Sequence, residues 1–478
     1  MTFVELILYH GLTHPQKPAM ILPDRIVTFG MLREGILSAE ERIAVAGLES
    51  GQLVAIVIDS PTKHLALACA LFHLGIASMS IAKAAIAEAI GVKIDAVLQD
   101  GSFAFAPGLK QIFVGDDWLA PGAQKRSVAR QARAFGEDDV CRVTLTSGTT
   151  GPPKPIGRTL SSYSLIKLHL NLVMLEGGAF DRMLCLSPPT AQWGFAKLIL
   201  ALSARKTLVF AGSPLEALQK IAVYDVDCLI ATAQHLREML EQHKSQPFPM
   251  HSLRLVYTSG SAISAALLQE LRARFCSNIG CSYGSTEMGP VAFASGDALA
   301  GFDGFCGHVM PWAQVEVLGP DGRRLPAGQE GEIRVRSPLQ GRPFGTAADR
   351  DDSFIDGWFH PGDIGKVTAN GMLVITGRVT ELINAGGAKV APDLVEELVR
   401  EQRGVADVAA LAGTGAHGAV ELWVAVVARE GFDPQSVRTY CGARGLVIDR
   451  VIAVDAIPRT PSGKIARANL RTMIDEMR

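Results

Sequence analysis

The sequence has few features of a metal-binding, secreted or membrane-spanning protein. Its eight cysteines include no pair with C-x-x-C spacing, which argues against a zinc site or a redox couple and favours free buried thiols in a reducing cytosol. Residues 1–6 lack a basic region and contain Glu5, so they predict an amphipathic start of a domain and not a signal peptide. The apolar stretch over 65–90 is interrupted by His73, Lys83 and Glu88, so we expect no membrane span.

Strong charge and abundant aromatic residues are also lacking. The formal net charge is -2 and aromatic residues make up 6% of the chain, so nothing in the balance points to nucleic acid or to an acidic membrane. The hydrophobic fraction of 48% is ample for a buried core. At about 150 residues per domain, 478 residues predict two to four domains.

Short apolar runs alternate with helical patterns between about residues 50 and 300. Residues 53–58 predict a buried strand and residues 62–74 a helix, and the same pairing recurs within 228–242 and within 253–275. Strand–helix alternation of this kind favours parallel sheets with helices on both faces, and therefore an α/β fold.

The texture changes after about residue 305. Two hairpins are predicted, one around the turn at 319–322 and one around Asn370-Gly371, where both residues tolerate positive φ. We place a domain boundary after the second hairpin, which gives an N-terminal domain over 1–378 and a small α+β domain over 379–478. In the latter, Pro392 opens a helix to about Gln402, and strands follow at 405–412 and 420–428.

A loop rich in hydroxyls and glycine spans residues 146–154, with the sequence TSGTTGPPK. Such a loop can direct backbone N–H groups at phosphate oxygens, and Lys154 adds a mobile positive charge. It is not a Walker A loop, which needs a different spacing. Taken alone, an ordinary surface turn explains many loops of this composition.

A second motif, Tyr-Gly-Ser-Thr-Glu, occupies residues 283–287 and suits a pocket for a nucleotide and magnesium. Residues 280–284 also fit Gly-x-Ser-x-Gly, the nucleophile elbow of α/β-hydrolases, with Ser282 as the nucleophile. Such an elbow must run into a helix, and the residues that follow, Met288-Gly289-Pro290, are a poor helix interior. A serine hydrolase is therefore a remote alternative.

Further motifs occur at 358–365, 377–383 and 458–464. Each has an ordinary explanation when taken alone: a capped turn for Asp363, a surface salt bridge for Arg378 and a mobile basic tail for Lys464.

Together and in this order, the motifs resemble the adenylate-forming superfamily, which includes acyl-CoA and aryl-CoA synthetases, peptide-synthetase adenylation domains and firefly-type luciferases. The resemblance runs from about residue 14 to Lys464. It implies an α/β fold with a large N-terminal domain of mixed and parallel sheets flanked by helices, a β-barrel-like subdomain, and a small mobile α+β C-terminal domain.

The resemblance also implies roles for individual residues. Tyr283 would stack on adenine, Asp363 and Arg378 would contact the ribose, Glu287 would hold Mg²⁺, and Lys464 would act in catalysis with Thr286 and Glu287. The residues implied in ATP binding are Thr146, Ser147, Gly148, Thr149, Thr150, Gly151, Lys154, Ser259, Gly260, Ser261, Tyr283, Gly284, Ser285, Asp363 and Arg378.

The acyl pocket is expected at Gln192, Trp193 and Ser259. Residues 187–194 hold no acidic residue, whereas peptide-synthetase domains place an aspartate there, so an amino-acid substrate is disfavoured. Thr380 occupies the hinge position, where Asp or Lys is usual, and Gly386 and Gly387 would line the thiol tunnel.

The reaction implied is ATP-dependent activation of a small carboxylic acid to an acyl-adenylate, followed by transfer to CoA in the cytoplasm. An alternative acceptor is the phosphopantetheine of a separate acyl carrier protein, and a non-catalytic binder of acyl-nucleotides is a further alternative. The sequence leaves open whether the acid is aliphatic, aryl or branched.

Overall fold

The computed structural model describes residues 1–81, 91–101, 105, 108–120, 134–146, 154–166, 180–261, 263–299, 305–345, 352–379, 381–385, 388–414, 420–459 and 464–477. The chain forms two compact units. The first comprises Met1–Ser259, Gln269–Val291 and Ser337–Asp352, and the second comprises Gly260–Leu268, Ala292–Arg336 and Ser353–Arg478.

The α-helices of the described residues are α1 Phe3–Thr13, α2 Phe29–Val45, α3 Pro61–His73, α4 Gln192–Ser203, α5 Pro214–Tyr224, α6 Ala233–Ser245, α7 Ala265–Arg274, α8 Pro392–Arg400, α9 Pro434–Gly442 and α10 Arg467–Glu476. Short 3-10 helices occur at Asp116–Leu119 and Gly296–Leu299. None of these helices is both long and apolar enough to cross a bilayer.

The β-strands of the described residues are β1 Pro18–Ile21, β2 Ile26–Thr28, β3 Leu53–Val57, β4 Ala77–Ser80, β5 Ala96–Gln99, β6 Lys110–Phe113, β7 Val140–Leu145, β8 Pro155–Thr159, β9 Arg182–Cys185, β10 Thr207–Val209, β11 Cys228–Ile230, β12 Leu255–Ser259, β13 Ile279–Ser285, β14 Gly289–Ser295, β15 Phe305–Val309, β16 Gln314–Leu318, β17 Gly331–Arg336, β18 Arg342–Pro343, β19 Phe354–Ile355, β20 Trp358–Phe359, β21 Asp363–Val367, β22 Met372–Arg378, β23 Ile383–Ala385, β24 Ala388–Val390, β25 Val405–Thr414, β26 Val420–Ala428 and β27 Arg450–Ala453.

The first unit contains two mainly parallel sheets. In one, the strand order is β13-β12-β11-β9-β10-β1-β2, with only the β1–β2 pair antiparallel. In the other, the order is β18-β8-β7-β4-β3-β5-β6, and β8 pairs antiparallel with both of its neighbours. Strands such as β3 and β11 are buried along their whole length, as parallel strands covered on both faces must be.

Local sequence signals explain where several helices of this unit begin. The side-chain oxygens of Thr28, Ser60, Ser213 and Thr232 each accept a backbone N–H of the first turn. Helices α3 and α5 also start with proline, whose missing N–H costs nothing at that position. The cap of α3, Ser60, lies two residues before the predicted helix start at residue 62.

The second unit contains an antiparallel sheet in the order β19-β20-β17-β21-β22-β15-β14, with β16 on β17. Most of its strands follow residue 305, where the texture of the sequence changes. The β21–β22 hairpin turns at residues 368–372, but only Gly371 has positive φ, so the loop is not the turn in which Asn370 shares that conformation. Thr368 donates its N–H to the Met372 carbonyl, which leaves a three-residue loop.

The C-terminal part of the second unit is a three-stranded sheet covered on both faces. Successive residues of β25 and β26 alternate between two cores. Val408 and Val424 pack with α8 and α9, whereas Ala409 and Trp423 pack with α10. This period of two confirms the predicted strands.

Candidate active site

A pocket of the first unit lies where β12 and β13 end, the edge at which α/β sheets usually bind ligands. Ser259, the last residue of β12, lines the pocket together with Gly284 and Ser285 of β13. Helix α4 contributes Gln192, Trp193, Ala196 and Lys197, and the cavity has a volume of about 80 Å³. The three residues expected in an acyl pocket therefore lie around one cavity.

The base of the 146–154 loop is closed by one backbone hydrogen bond and one hydrogen bond from backbone to side chain. The Thr146 N–H donates to the Lys154 carbonyl at 2.9 Å, and the Lys154 N–H donates to Thr146 Oγ1 at 3.0 Å. These bonds extend the antiparallel β7–β8 pair, so both ends of the loop are held side by side. Ser147, Gly148, Thr149, Thr150 and Gly151 lie outside the described residues, and their role in binding phosphate stays a prediction.

The turn after β13 is fixed by hydrogen bonds to its backbone. Ser285 Oγ accepts the N–H of Glu287 at 3.2 Å, and the Glu287 carbonyl accepts the N–H of Gly341 at 2.7 Å. The Thr286 carbonyl accepts from the guanidinium of Arg158. The turn therefore holds Thr286 and the half-buried Glu287 at the end of the strand.

Arg158, on β8, is a site residue that sequence reasoning missed. It lines the pocket, is 1% exposed, and donates to the carbonyls of Leu339 and Thr286. Burial lowers the pKa of Arg158 to about 10, so the guanidinium stays charged at neutral pH. No local pattern distinguishes this arginine, since its partners lie more than a hundred residues away.

Ser282 does not have the context of a hydrolase nucleophile. It is buried within β13, its Oγ accepts a hydrogen bond from Tyr257 at 2.8 Å, and its carbonyl accepts one from Ser259 Oγ at 2.9 Å. The chain then continues into strand β14, whereas a nucleophile elbow runs into a helix. The remote serine-hydrolase alternative is therefore wrong.

Helix α4 begins very close to the preceding turn. A Cβ at Gly194 would lie 2.4 Å from the Pro188 carbonyl oxygen and 2.6 Å from that of Ser187, so only glycine fits. Trp193 packs against Tyr257 with ring centroids 5.9 Å apart, and Gln192 Oε1 accepts from the Tyr163 hydroxyl at 3.4 Å. This close start aims the first turns of α4 into the cavity.

Lys197 is the second pocket residue that sequence reasoning missed. It lies four residues after Trp193, and therefore on the same face of the helix. A lysine at that spacing, inside an otherwise apolar helix, is the signal that could have identified it.

Asp363 and Arg378 lie together in the second unit. They are cross-strand partners in the β21–β22 pair, and Arg378 Nε donates to Asp363 Oδ1 at 2.6 Å. Asp363 is 5% exposed, whereas Arg378 is more open and also reaches Glu381 at 3.7 Å. The two residues expected at the ribose therefore form an ion pair.

Lys464 follows a loop whose base is closed. Arg459 and Ile465 form an antiparallel bridge, and the Ala466 N–H donates to the Pro458 carbonyl at 2.8 Å. Beyond the loop, Arg467 forms ion pairs with Glu381, Asp393 and Glu396, the last at 2.7 Å. Lys464 is thus presented by an anchored segment. Thr380, Gly386 and Gly387 lie outside the described residues.

The residues present suit a nucleotide and magnesium. Magnesium binds through one or two carboxylates plus substrate phosphates, and Glu287 offers such a carboxylate beside the carbonyl that Arg158 holds. Tyr283 lies in β13, two residues before the last residue of the strand, Ser285, and supplies an aromatic face.

Parallel strands whose carboxyl ends frame a pocket are the arrangement of a ligand-binding α/β protein. The family model described as AMP-binding enzyme matches residues 10–342. The chain belongs to this family, which confirms its predicted place in the adenylate-forming superfamily.

Individual proteins are similar to the chain over nearly its full length. It is 29% identical to the Mycobacterium tuberculosis 3-[(3aS,4S,7aS)-7a-methyl-1,5-dioxo-octahydro-1H-inden-4-yl]propanoyl:CoA ligase, over 96% of each chain. It is 25% identical to a fatty acid–[acyl-carrier-protein] ligase of Streptomyces coeruleorubidus, over 98% of this chain and 96% of that one.

A solved structure has the same fold. The O-succinylbenzoate coenzyme A synthetase of Bacillus subtilis, in complex with ATP and magnesium ion, superimposes with a TM-score of 0.81 at 23% identity. The match covers 98% of this chain and 99% of that chain. The predicted fold class is confirmed.

Proposed function

We propose that this enzyme joins a small carboxylic acid to the α-phosphate of ATP, releasing pyrophosphate, and then transfers the acyl group to CoA. The products of the second step are an acyl-CoA thioester and AMP. The observation that supports the proposal is one pocket that is lined both by the acyl-site residues of α4 and by residues 284–286. The similarity to CoA ligases supports the same reaction.

The chemistry needs positive charge because both reactants are anions. A carboxylate oxygen attacks the α-phosphorus, a mixed anhydride forms, and the leaving group is pyrophosphate. Lys154, Lys464 and the backbone amides of 146–154 would neutralise charge on the phosphates. Magnesium, held with Glu287, would supply further positive charge, and Thr286 would contact the α-phosphate.

Nucleotide binding would alter the Asp363–Arg378 ion pair. Asp363 accepts from Arg378 at 2.6 Å, so its carboxylate would have to share its hydrogen bonds with the ribose hydroxyls. Arg378 has further guanidinium donors that could turn to the phosphates. Tyr283 would stack on adenine, and residues Ser259, Gly260 and Ser261 would line the nucleotide site.

The second step needs a thiol at the acyl carbon. We propose that the small domain over 379–478 rotates about Thr380, withdraws Lys464, and brings Gly386 and Gly387 to the pocket as the wall of a thiol tunnel. Such closure steps commonly limit turnover. The cytoplasm is the proposed location, since the seven cysteines whose side chains the structure describes are free thiols.

A carrier-protein thiol is the second candidate acceptor, favoured by the similarity to an acyl-carrier-protein ligase. The two acceptors are chemically alike, because both present phosphopantetheine. They differ in whether a protein surface must dock beside the tunnel.

The test is carboxylate-dependent exchange of labelled pyrophosphate into ATP, run over a panel of acids. We expect exchange with at least one acid and none when the acid is omitted. The acid that supports exchange is then incubated with enzyme, ATP and either CoA or a phosphopantetheinylated carrier protein. Mass spectrometry of the thioester identifies the acceptor. Absence of exchange with every acid would refute the adenylation step.

A further inference from the structure

Lys197 carries a buried cation into the acyl pocket. The residue is 3% exposed, lies one helical turn beyond Trp193 on α4, and lines the same cavity. Its Nζ lies 3.5 Å from the Tyr257 hydroxyl oxygen and 4.6 Å from the centre of that ring. An ammonium group has three N–H donors, and a contact of 3.5 Å is at the long limit of a hydrogen bond.

The groups that face Lys197 supply no negative charge. They are the thiols of Cys185 on β9 and Cys228 on β11, and the phenol of Tyr257 on β12. Burial raises the pKa of all three, that of Cys185 to about 12, so each is neutral at pH 7. No carboxylate of the described residues forms an ion pair with Lys197, and burial lowers its pKa to about 7.

Two other buried cations of this unit donate several hydrogen bonds each, although the Nε of each has no partner among the described residues. Arg158 donates to two backbone carbonyls, and Arg142 donates to the hydroxyls of Ser78 and Ser80 and stacks on a phenylalanine ring. Burying a charge is costly unless it is paired and hydrogen-bonded. Lys197 has only the long contact to the Tyr257 hydroxyl and the position over that ring, so an anion that enters the cavity would stabilise its charged form.

We propose that Lys197 binds a second anionic group of the acid substrate, so that the enzyme prefers a dicarboxylic acid to the matching monocarboxylic acid. This inference rests on the proposed adenylation reaction and names the substrate class. Gln192 supports it, since its Nε2 is buried, lines the same cavity, and has no hydrogen-bond partner among the described residues. One carboxylate would react with ATP while the other pairs with the ammonium at the far end.

The cavity volume of about 80 Å³ favours a compact acid. The test compares matched acids of four to eight carbons, namely each straight-chain monoacid, its ω-hydroxy derivative and its dicarboxylic acid, in the pyrophosphate exchange assay. We expect the best dicarboxylate to exceed its monoacid in kcat/KM by roughly 10- to 100-fold, the worth of a charge-assisted hydrogen bond. The ω-hydroxy acid should stay near the monoacid.

Variants assign the preference to Lys197. K197M should lose roughly 10- to 100-fold with the dicarboxylate and change little with the monoacid, and K197R should retain part of the preference because it keeps the charge. K220M is the matched control, because Lys220 is a half-buried helical lysine that already pairs with Glu216 at 3.6 Å. It should leave both activities unchanged.

A wild-type enzyme that prefers the monoacids, or a K197M variant that loses equally with both acids, would overturn the inference while the adenylation reaction stands. If no acid supports exchange, thermal unfolding with each dicarboxylate separates the two proposals. A dicarboxylate that raises the Tm of the wild type but not of K197M supports the anion site. Absence of any such shift would overturn it.

Discussion

Arg158 joins segments of the first unit that are far apart in the sequence. From β8 it reaches the carbonyl of Leu339, just before β18, and the carbonyl of Thr286 in the turn after β13. One side chain therefore ties the strand that leaves the 146–154 loop to the turn that carries Glu287. This link gives Arg158 a positioning role, because its guanidinium donates to the backbone on both sides of the site.

We expect Arg158→Met to lower the free energy of unfolding by about 2–5 kcal/mol. The buried carbonyl of Leu339 and the half-buried carbonyl of Thr286 lose their donor, and an unsatisfied buried group costs about 1–3 kcal/mol. Urea denaturation followed by tryptophan fluorescence measures the change. Arg182→Met is the matched control, since Arg182 also donates to a carbonyl, that of Tyr224, but its side chain is 41% exposed. A loss no larger than that of the control would contradict the role.

Individual site residues were predictable only where a motif contains them. The turn at 283–287 and the pocket residues Gln192 and Trp193 could be identified because they lie in segments that occur in the same order as in the adenylate-forming superfamily. Arg158 and Lys197 do not, because their significance depends on burial and on partners in other strands. A charged residue in an apolar segment is ordinarily assigned to the surface, and both of these are buried.

At the scale of elements, β13 and β14 meet at a point that excludes a side chain. A Cβ at Gly284 would lie 2.4 Å from the Gly289 carbonyl oxygen and 3.0 Å from Pro290 Cα. Gly289 in turn has a φ of +69°, which favours glycine. The close approach of the two strands sets where the 285–288 turn places Thr286 and Glu287.

Gly284→Ala should therefore displace the turn. We expect the KM for ATP to rise by roughly tenfold and the free energy of unfolding to fall by about 1–3 kcal/mol, the usual cost of overpacking. Initial-rate kinetics and urea denaturation measure both. Gly442→Ala serves as control, because no atom lies within 4 Å of a Cβ there. Wild-type KM and stability in Gly284→Ala would show that the strands can separate without effect.

The elements themselves were largely predictable. Residues 53–58 were expected as a strand and form β3 over Leu53–Val57, and the predicted strand at 420–428 matches β26. The hairpin at 370–371 was expected in the right place, but with positive φ at both residues. The structure differs because the loop has three residues, and a three-residue loop needs only one residue with positive φ. The loop length depends on the register of the two strands, which the local sequence does not specify.

At the scale of the whole molecule, the sequence predicted a boundary near residue 378. The compact units instead group Ala292–Arg336 and Ser353–Arg478 within the second unit. The predicted boundary stays a prediction. It was placed at a hinge, and a hinge can be located only by comparing two positions of the domain that rotates about it. Within the second unit, Glu381 binds both Arg378 and Arg467, so ion pairs link the end of β22 to the segment that presents Lys464.

Lys464→Ala should separate the two half-reactions. If the lysine enters the site only during adenylation, its loss should lower pyrophosphate exchange by roughly a hundredfold or more, as removal of one well-placed electrostatic group does. Thioester formation from supplied acyl-adenylate should stay within a few-fold of the wild type, since the thiol replaces the lysine at the acyl carbon. Exchange and thioester assays measure the two steps.

The control for this experiment is Lys366→Ala, which removes a lysine from β21 of the same unit and should leave both steps unchanged. An equal loss of both half-reactions in Lys464→Ala would mean that the lysine acts in each, and a single arrangement of the domains would then suffice. A selective loss of adenylation is the result expected if Lys464 leaves the site before the thiol arrives. Because Arg467 holds the segment to Glu381, Asp393 and Glu396, the lysine would have to leave together with helix α8 and not as a free loop.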